Sequence, residues 1–166
     1  DENVLVGAID EITPNSHAIQ QRLGLLRGIQ AGEGAQFFLL GREATESTLA
    51  ELAGISTFIH ANSTQEVAEK VHCFLQSNRL TAGQIDWFVT GKNGNSKEDT
   101  LYTDLENDLF PTATCSIFKN ECGEYPTASS FALWKVAKTF EENLNPGRTV
   151  LIYNHYHSIN HSLILI

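Results

Sequence analysis

Seven short apolar runs punctuate this chain: Val4 to Ile9, Gln36 to Leu40, Ile55 to Ala61, Ile85 to Val89, Ala113 to Phe118, Thr149 to Tyr153 and Ser162 to Ile166. Each has the length of a β-strand, and none approaches the ~20 residues needed to span a bilayer. The first is nearly continuous in apolar residues, which suits a strand buried on both faces, and Gln36 to Leu40 reads as a second buried strand. Helical periodicity fills most of the gaps. Thr13-Pro14 opens a stretch from Ser16 to Leu26 in which Ile19, Leu23 and Leu26 recur on one side. Ser63 and Glu66 form a capping box ahead of Val67, Val71, Phe74 and Leu75, marking a helix to Asn78. Further helices are expected over Asp99 to Leu109 and Pro126 to Glu142, and a weak one within Ala44 to Gly54. Asn145-Pro146-Gly147 marks a turn. Strands alternating with helices define an α/β fold in one domain over residues 1–166, with a mixed, mostly parallel sheet of about five strands (βαβαβαββ) and helices on both faces. The last two runs have no helix between them, so one strand pairs antiparallel.

Charge narrows the partners. The formal net charge is −9, unsuited to neutralising nucleic-acid phosphates or settling on an anionic membrane. Cys73, Cys115 and Cys122 lack CxxC spacing, which points to a reducing, cytoplasmic setting and away from a disulfide scaffold. Methionine is absent and residue 1 is Asp, so the expectation is a processed or trimmed chain or a fragment.

Three stretches, in order, resemble the C-terminal half of the β-ketoacyl synthases, condensing enzymes of the thiolase fold. Val4 to Asp10 followed by Gly32-Glu33-Gly34-Ala35-Gln36-Phe37-Phe38-Leu39-Leu40 is similar to the family's "AGGVD … GEGAAALVL". Ile85-Asp86-Trp87-Phe88-Val89-Thr90-Gly91-Lys92-Asn93-Gly94-Asn95 is similar to "VDYVEAHGTGT". Lys119-Asn120-Glu121-Cys122-Gly123-Glu124-Tyr125-Pro126-Thr127-Ala128-Ser129 is similar to "KSNIGHLEAAA". The closing Asn154 and Asn160-His161-Ser162-Leu163-Ile164-Leu165 resemble "NSFGFGGTNAHLVL" with a shortened loop, His155-Tyr156-His157-Ser158-Ile159 replacing its glycines.

The resemblance implies a Cys nucleophile in an N-terminal half that is missing from this chain, and two histidines that stabilise developing oxyanions. Their positions fall on Gly91 and Glu124. Glycine has no side-chain donor, and an ionised glutamate accepts hydrogen bonds and repels a forming oxyanion. The family's active-site lysine is matched by Lys119, and Asn154 matches a substrate-binding asparagine. No catalytic set is therefore assigned.

Other candidates are weaker. Lys119 also reads as the partner of Glu121 or Glu124 at a strand end, and Glu124 as a stabiliser of the following helix N-terminus. Cys115 and Cys122 invite a nucleophile reading but have no nearby His, so they read as buried small hydrophobes. His155, His157 and His161 would share one side of an extended strand, but no acidic residue or Cys accompanies them, and no metal or cofactor is expected. The Gly91 to Ser96 loop lacks the order of a phosphate-binding loop, and Asp104, Glu106 and Asp108 read as a solvated helix face.

The resulting expectation is a ketosynthase-like protein of fatty-acid, polyketide or aryl-polyene synthesis, non-catalytic as it stands. It would act with a missing N-terminal half or a second ketosynthase-like subunit, as a dimer, with an acyl carrier protein as a further partner. The alternative is an active condensing enzyme whose Cys lies in the missing half. The helix from Pro126 to Glu142 carries Phe131, Leu133, Trp134, Val136 and Phe140 around more than one face, so part of it should await a partner.

Overall fold

The computed structural model describes residues 3–61, 63–143 and 147–166. The expected turn at Asn145-Pro146 lies outside the described residues. In chain order the elements are β1 (Val4–Asp10), α1 (Pro14–Arg22), β2 (Gly34–Leu40), β3 (Gly54–Ile59), α2 (Thr64–Ser77), β4 (Trp87–Thr90), α3 (Ser96–Asp108), β5 (Thr114–Ile117), α4 (Lys119–Cys122), α5 (Ala128–Asn143), β6 (Val150–Tyr156) and β7 (Asn160–Leu165).

Five strands form a mixed sheet in the order β3-β7-β6-β4-β5. β4 runs parallel to both β5 and β6, whereas β7 is antiparallel to β6 and β3. Parallel and antiparallel pairings are thus equal in number, because the last two strands are joined directly and β3 pairs with the reversed one. Alternation along β6 divides the core. Leu151 and Tyr153 face α2 and α3, packing with Val67, Val71, Phe74, Leu75, Tyr102 and Leu105. Val150 and Ile152 face α5, packing with Ala128, Ala132 and Val136. Helices therefore cover both faces.

Local signals set the helix starts. Ser63 Oγ accepts from Glu66 N at 3.2 Å to begin α2. Thr13 and Ser16 cap α1, which starts at Pro14 rather than Ser16 and stops before Leu26, because Gly24 takes a positive φ of 71°. The weak helix expected within Ala44 to Gly54 does not form. Thr45, Ser47 and Thr48 bond one another's hydroxyls and backbone in a turn, competing with helical hydrogen bonds.

The first two runs correct the expectation of strands buried on both faces. β1 and β2 form a separate antiparallel ribbon outside the five-stranded sheet. Its inner side meets α5, where Ser130 Oγ donates to Gln36 Oε1 at 2.7 Å. Its outer side leaves Leu5, Ile9, Phe37 and Leu39 more than half exposed. Helix α5 therefore lies between two sheets, with Trp134 44% exposed on the flank that neither covers. The ribbon is anchored a second time where Gly32 N donates to Glu124 O and Glu124 N to Gln30 O. A Cβ on Gly32 would lie 1.9 Å from Cys122 O, so only glycine permits this crossing. Among the described residues no helix is long and apolar enough to cross a membrane.

Candidate functional site

The parallel strands β6, β4 and β5 end side by side, and the residues just beyond them, or at their ends, include Gly91, Lys119, Asn154 and His155. Carboxyl ends of strands in α/β sheets are the usual place for a ligand site. Lys119 opens α4, a single turn that returns the chain towards α5 and brings Glu124 back over it. Lys119 Nζ donates to Glu124 Oε2 at 2.8 Å and to His155 O at 3.1 Å, with its side chain fully buried. Of the two acids considered for Lys119, Glu124 is its partner, and Glu121 pairs with Lys135 on α5. Asn93 Nδ2 donates to the same Glu124 oxygen at 2.7 Å. Burial pulls the Lys119 pKa below its ordinary value, while the adjacent Glu124 acts in the opposite direction.

Gly91 has no room for a side chain. A Cβ there would sit 2.2 Å from Asn154 Oδ1 and 2.9 Å from the Tyr102 hydroxyl. Asn154, 4% exposed, is held by its Nδ2 donating to Ser129 Oγ at 3.0 Å. It also lines a cavity of about 590 Å³ with Thr57, Thr127, Tyr156 and Ser162, between the ribbon and the larger sheet beside α5. Tyr102 accepts the His155 N–H at 2.9 Å and stacks on the His155 ring at 4.6 Å. Burial, with Lys119 next in weight, pushes the His155 pKa down to about 3, so the ring is neutral at pH 7. The Lys119 ammonium and the Asn154 amide are thus bonded within the protein, whereas His155, whose Nδ1 accepts from Ser158 N at 3.3 Å, keeps its Nε2 buried and without a hydrogen-bond partner among the described residues.

The other candidates resolve differently. His155 and His161 face each other across β6 and β7, but His157 sits in the turn with φ 52°, which breaks the alternation that would have aligned all three. Among the described residues no three His, Cys, Asp or Glu side chains gather as a metal set. Cys115 and Cys73 are exposed and Cys122 is half-buried, so the reading of Cys115 as buried is corrected, as expected of a residue on the open edge strand. Desolvation raises both the Cys115 and the Cys122 thiol pKa, the latter to about 11, so neither is a poised thiolate. In the Gly91 to Ser96 loop, the Asn93 and Gly94 amides both donate to the Asp99 carboxylate at 3.0 Å, so the protein's own acid fills the place of an anion. Two residues of the supposed solvated face have partners instead. Asp104 accepts from Thr64 Oγ1 at 2.9 Å, and Glu106 pairs with Lys92 at 2.5 Å, tying α3 to its neighbours.

Sequence reading missed Asn93 and Tyr102 as parts of the site, and weighed His155 as a metal ligand and as part of the loop replacing the family's glycines rather than as the neighbour of Lys119 and Tyr102. Asn93 belonged to a quoted motif and could have been found there. Tyr102 carries no local signal, since its hydroxyl reaches the site only through the packing of α3 on β6.

The fold defines an α/β protein in which one helix is held between two sheets. No family model and no curated protein matches the chain in sequence. Solved structures do match in shape. A keto synthase–chain length factor, PfaC, superimposes with TM-score 0.81 at 18% identity, over 99% of this chain and 19% of that chain. The ishigamide ketosynthase/chain length factor gives 0.74 at 18%, over 98% of this chain and 48% of that one. A 3-oxoacyl-[acyl-carrier-protein] synthase III from Aquifex aeolicus gives 0.62 at 14%, over 98% and 57%. The fold is the thiolase-like fold of these condensing enzymes, and the chain spans about half or less of the length of the structures it matches.

Proposed function

We propose that the chain is a ketosynthase-like component of fatty-acid, polyketide or aryl-polyene synthesis that does not itself catalyse condensation and works with a second ketosynthase-like half or subunit. The observation that carries this reading is the replacement of both histidine positions by interlocked residues. Asn154 occupies the space beside Gly91, and Glu124 is bound to Lys119 and Asn93. An oxyanion placed here would meet an acceptor in Glu124 rather than a donor.

The surfaces left open support a partner. Exposed Leu5, Ile9, Phe37 and Leu39 on the ribbon, and Trp134 on α5, form apolar surface of the kind that marks an interface. The resemblance to the condensing enzymes implies that the other half packs its own central helix beside α5, where the Asn154-lined cavity opens. Asn154 would then be a substrate-side residue of the assembled site. An acyl carrier protein is the expected donor of substrate, and the cytoplasm the expected compartment. The second reading, an active condensing enzyme with its Cys in the other half, is favoured by the retention of Lys119 at the family position.

The test is condensation of acyl- and malonyl-carrier-protein thioesters by the chain alone and with the half encoded upstream of it. No product in either case, together with stable association of the two, is the expected result. Product from the pair that is lost when a Cys of the upstream half is replaced would establish the second reading.

A further inference from the structure

Asn93-Gly94 is the one Asn-Gly pair in the sequence, and it sits at the turn between β4 and α3. We propose that Asn93 is a self-modification site, where the chain converts its own asparagine to aspartate and isoaspartate through a cyclic succinimide. The attacking nitrogen and the carbonyl oxygen each have a partner suited to their role. The attacking nitrogen, Gly94 N, donates its hydrogen to Asp99 Oδ2 at 3.0 Å, within reach for a carboxylate to accept that proton. The carbonyl oxygen, Asn93 Oδ1, accepts from Asn95 N at 3.0 Å, a donor that remains on this oxygen as it gains negative charge. Gly94 is exposed, has φ 91° and carries no side chain to shield its nitrogen, so water reaches the product ring.

The steps balance without an added reactant other than water. Gly94 N forms a bond to Asn93 Cγ, the Cγ–Nδ2 bond breaks, and ammonia leaves carrying the amide proton. Water then opens the ring at either carbonyl. Opening at one gives aspartate on the normal backbone. Opening at the other gives isoaspartate, with the chain rerouted through the side-chain carbon.

The product changes the site. Asn93 Nδ2 is a donor 2.7 Å from Glu124 Oε2, and conversion replaces it with a carboxylate. Two carboxylates would then face each other where an amide N–H had donated, and the ammonium bond from Lys119 already goes to Glu124. Like charges a hydrogen bond apart repel, so the loop detaches from Glu124.

The experiment is incubation of the purified chain at neutral pH and body temperature, followed by peptide mapping with fragment ions that separate residue 93 from residue 95. The expected result is the mass change of one amide-to-acid exchange at Asn93, in aspartate and isoaspartate forms, roughly tenfold faster than at Asn95 or Asn15, each of which precedes a serine. Asn93→Asp should lower the melting temperature, and the loss should shrink in a Glu124→Gln background. Conversion of Asn93 no faster than of Asn95 and Asn15, while the urea-unfolded chain converts Asn93 first, would overturn the proposal. So would an Asn93→Asp loss that Glu124→Gln leaves unchanged.

Discussion

The Asp10 carboxylate accepts both the backbone N–H and the hydroxyl of Thr127, at 2.9 and 2.5 Å, joining the end of β1 to the start of α5. A negative charge at a helix N-terminus is favourable there, and the same bond fixes how the ribbon sits on the helix. Asp10→Ala is expected to destabilise the protein by about 1–2 kcal/mol. Urea unfolding measures the loss, and limited proteolysis should show earlier cleavage around residues 11–33 than in the parent.

The buried Lys119–Glu124 pair should behave asymmetrically. Lys119→Met alone leaves a desolvated carboxylate and is expected to cost about 3–5 kcal/mol. Lys119→Met with Glu124→Leu removes both charges and should recover most of that. Chemical denaturation of the single and double variants decides it. A double variant as unstable as the single would show that the pair itself holds the site together.

Gly91 and Asn154 share one volume. Gly91→Ala is therefore expected to destabilise by about 1–3 kcal/mol through overpacking. In an Asn154→Ala background the same change should cost less, because the nearest obstructing atom is gone; the coupling energy is read from a double-mutant cycle. Gly91→His alone should restore neither stability nor condensation.

Acid should weaken the fold through His155, which is 1% exposed. Its folded pKa of about 3 lies below its ordinary value of 6.5. Between those two values the unfolded chain holds a proton that the folded chain does not, so stability is full above about pH 6.5 and falls as the pH drops towards 3. The slope from this one group is about 1.4 kcal/mol per pH unit. His161, whose pKa burial also lowers, adds in the same direction. Urea midpoints across this range should fall steadily, and His155→Gln should flatten the curve.

Much of the architecture was legible locally. The Ser63 cap of α2, the seven strand segments and the direct β6–β7 connection depend on neighbours a few residues apart, so periodicity and capping chemistry identify them. The burial of the first two runs was not. Val4 to Ile9 has the composition of a fully buried strand, yet β1 pairs with β2 alone and keeps one face open. An apolar run records that a strand is meant to be covered, without recording whether this chain supplies the cover. The acidic residues of α3 failed in the opposite direction, because Thr64 and Lys92 approach them only once the helices pack.

The sequence by itself determined the alternation of strands and helices, the absence of histidine at residues 91 and 124, and the presence of Lys119 between them. Tertiary structure alone decided what those residues became. It turned Asn154 into the space beside Gly91, made Glu124 rather than Glu121 the partner of Lys119, and brought Asp10 to Thr127. The Gly91–Asn154 and Asp10–Thr127 contacts join segments that only the stacking of α5 between two sheets, or the side-by-side ends of β4 and β6, brings together, whereas Lys119 and Glu124 meet because the single turn α4 reverses the chain between them. Local propensity acts over a few residues, whereas the two long-range contacts form once burial has closed the long loops between their partners.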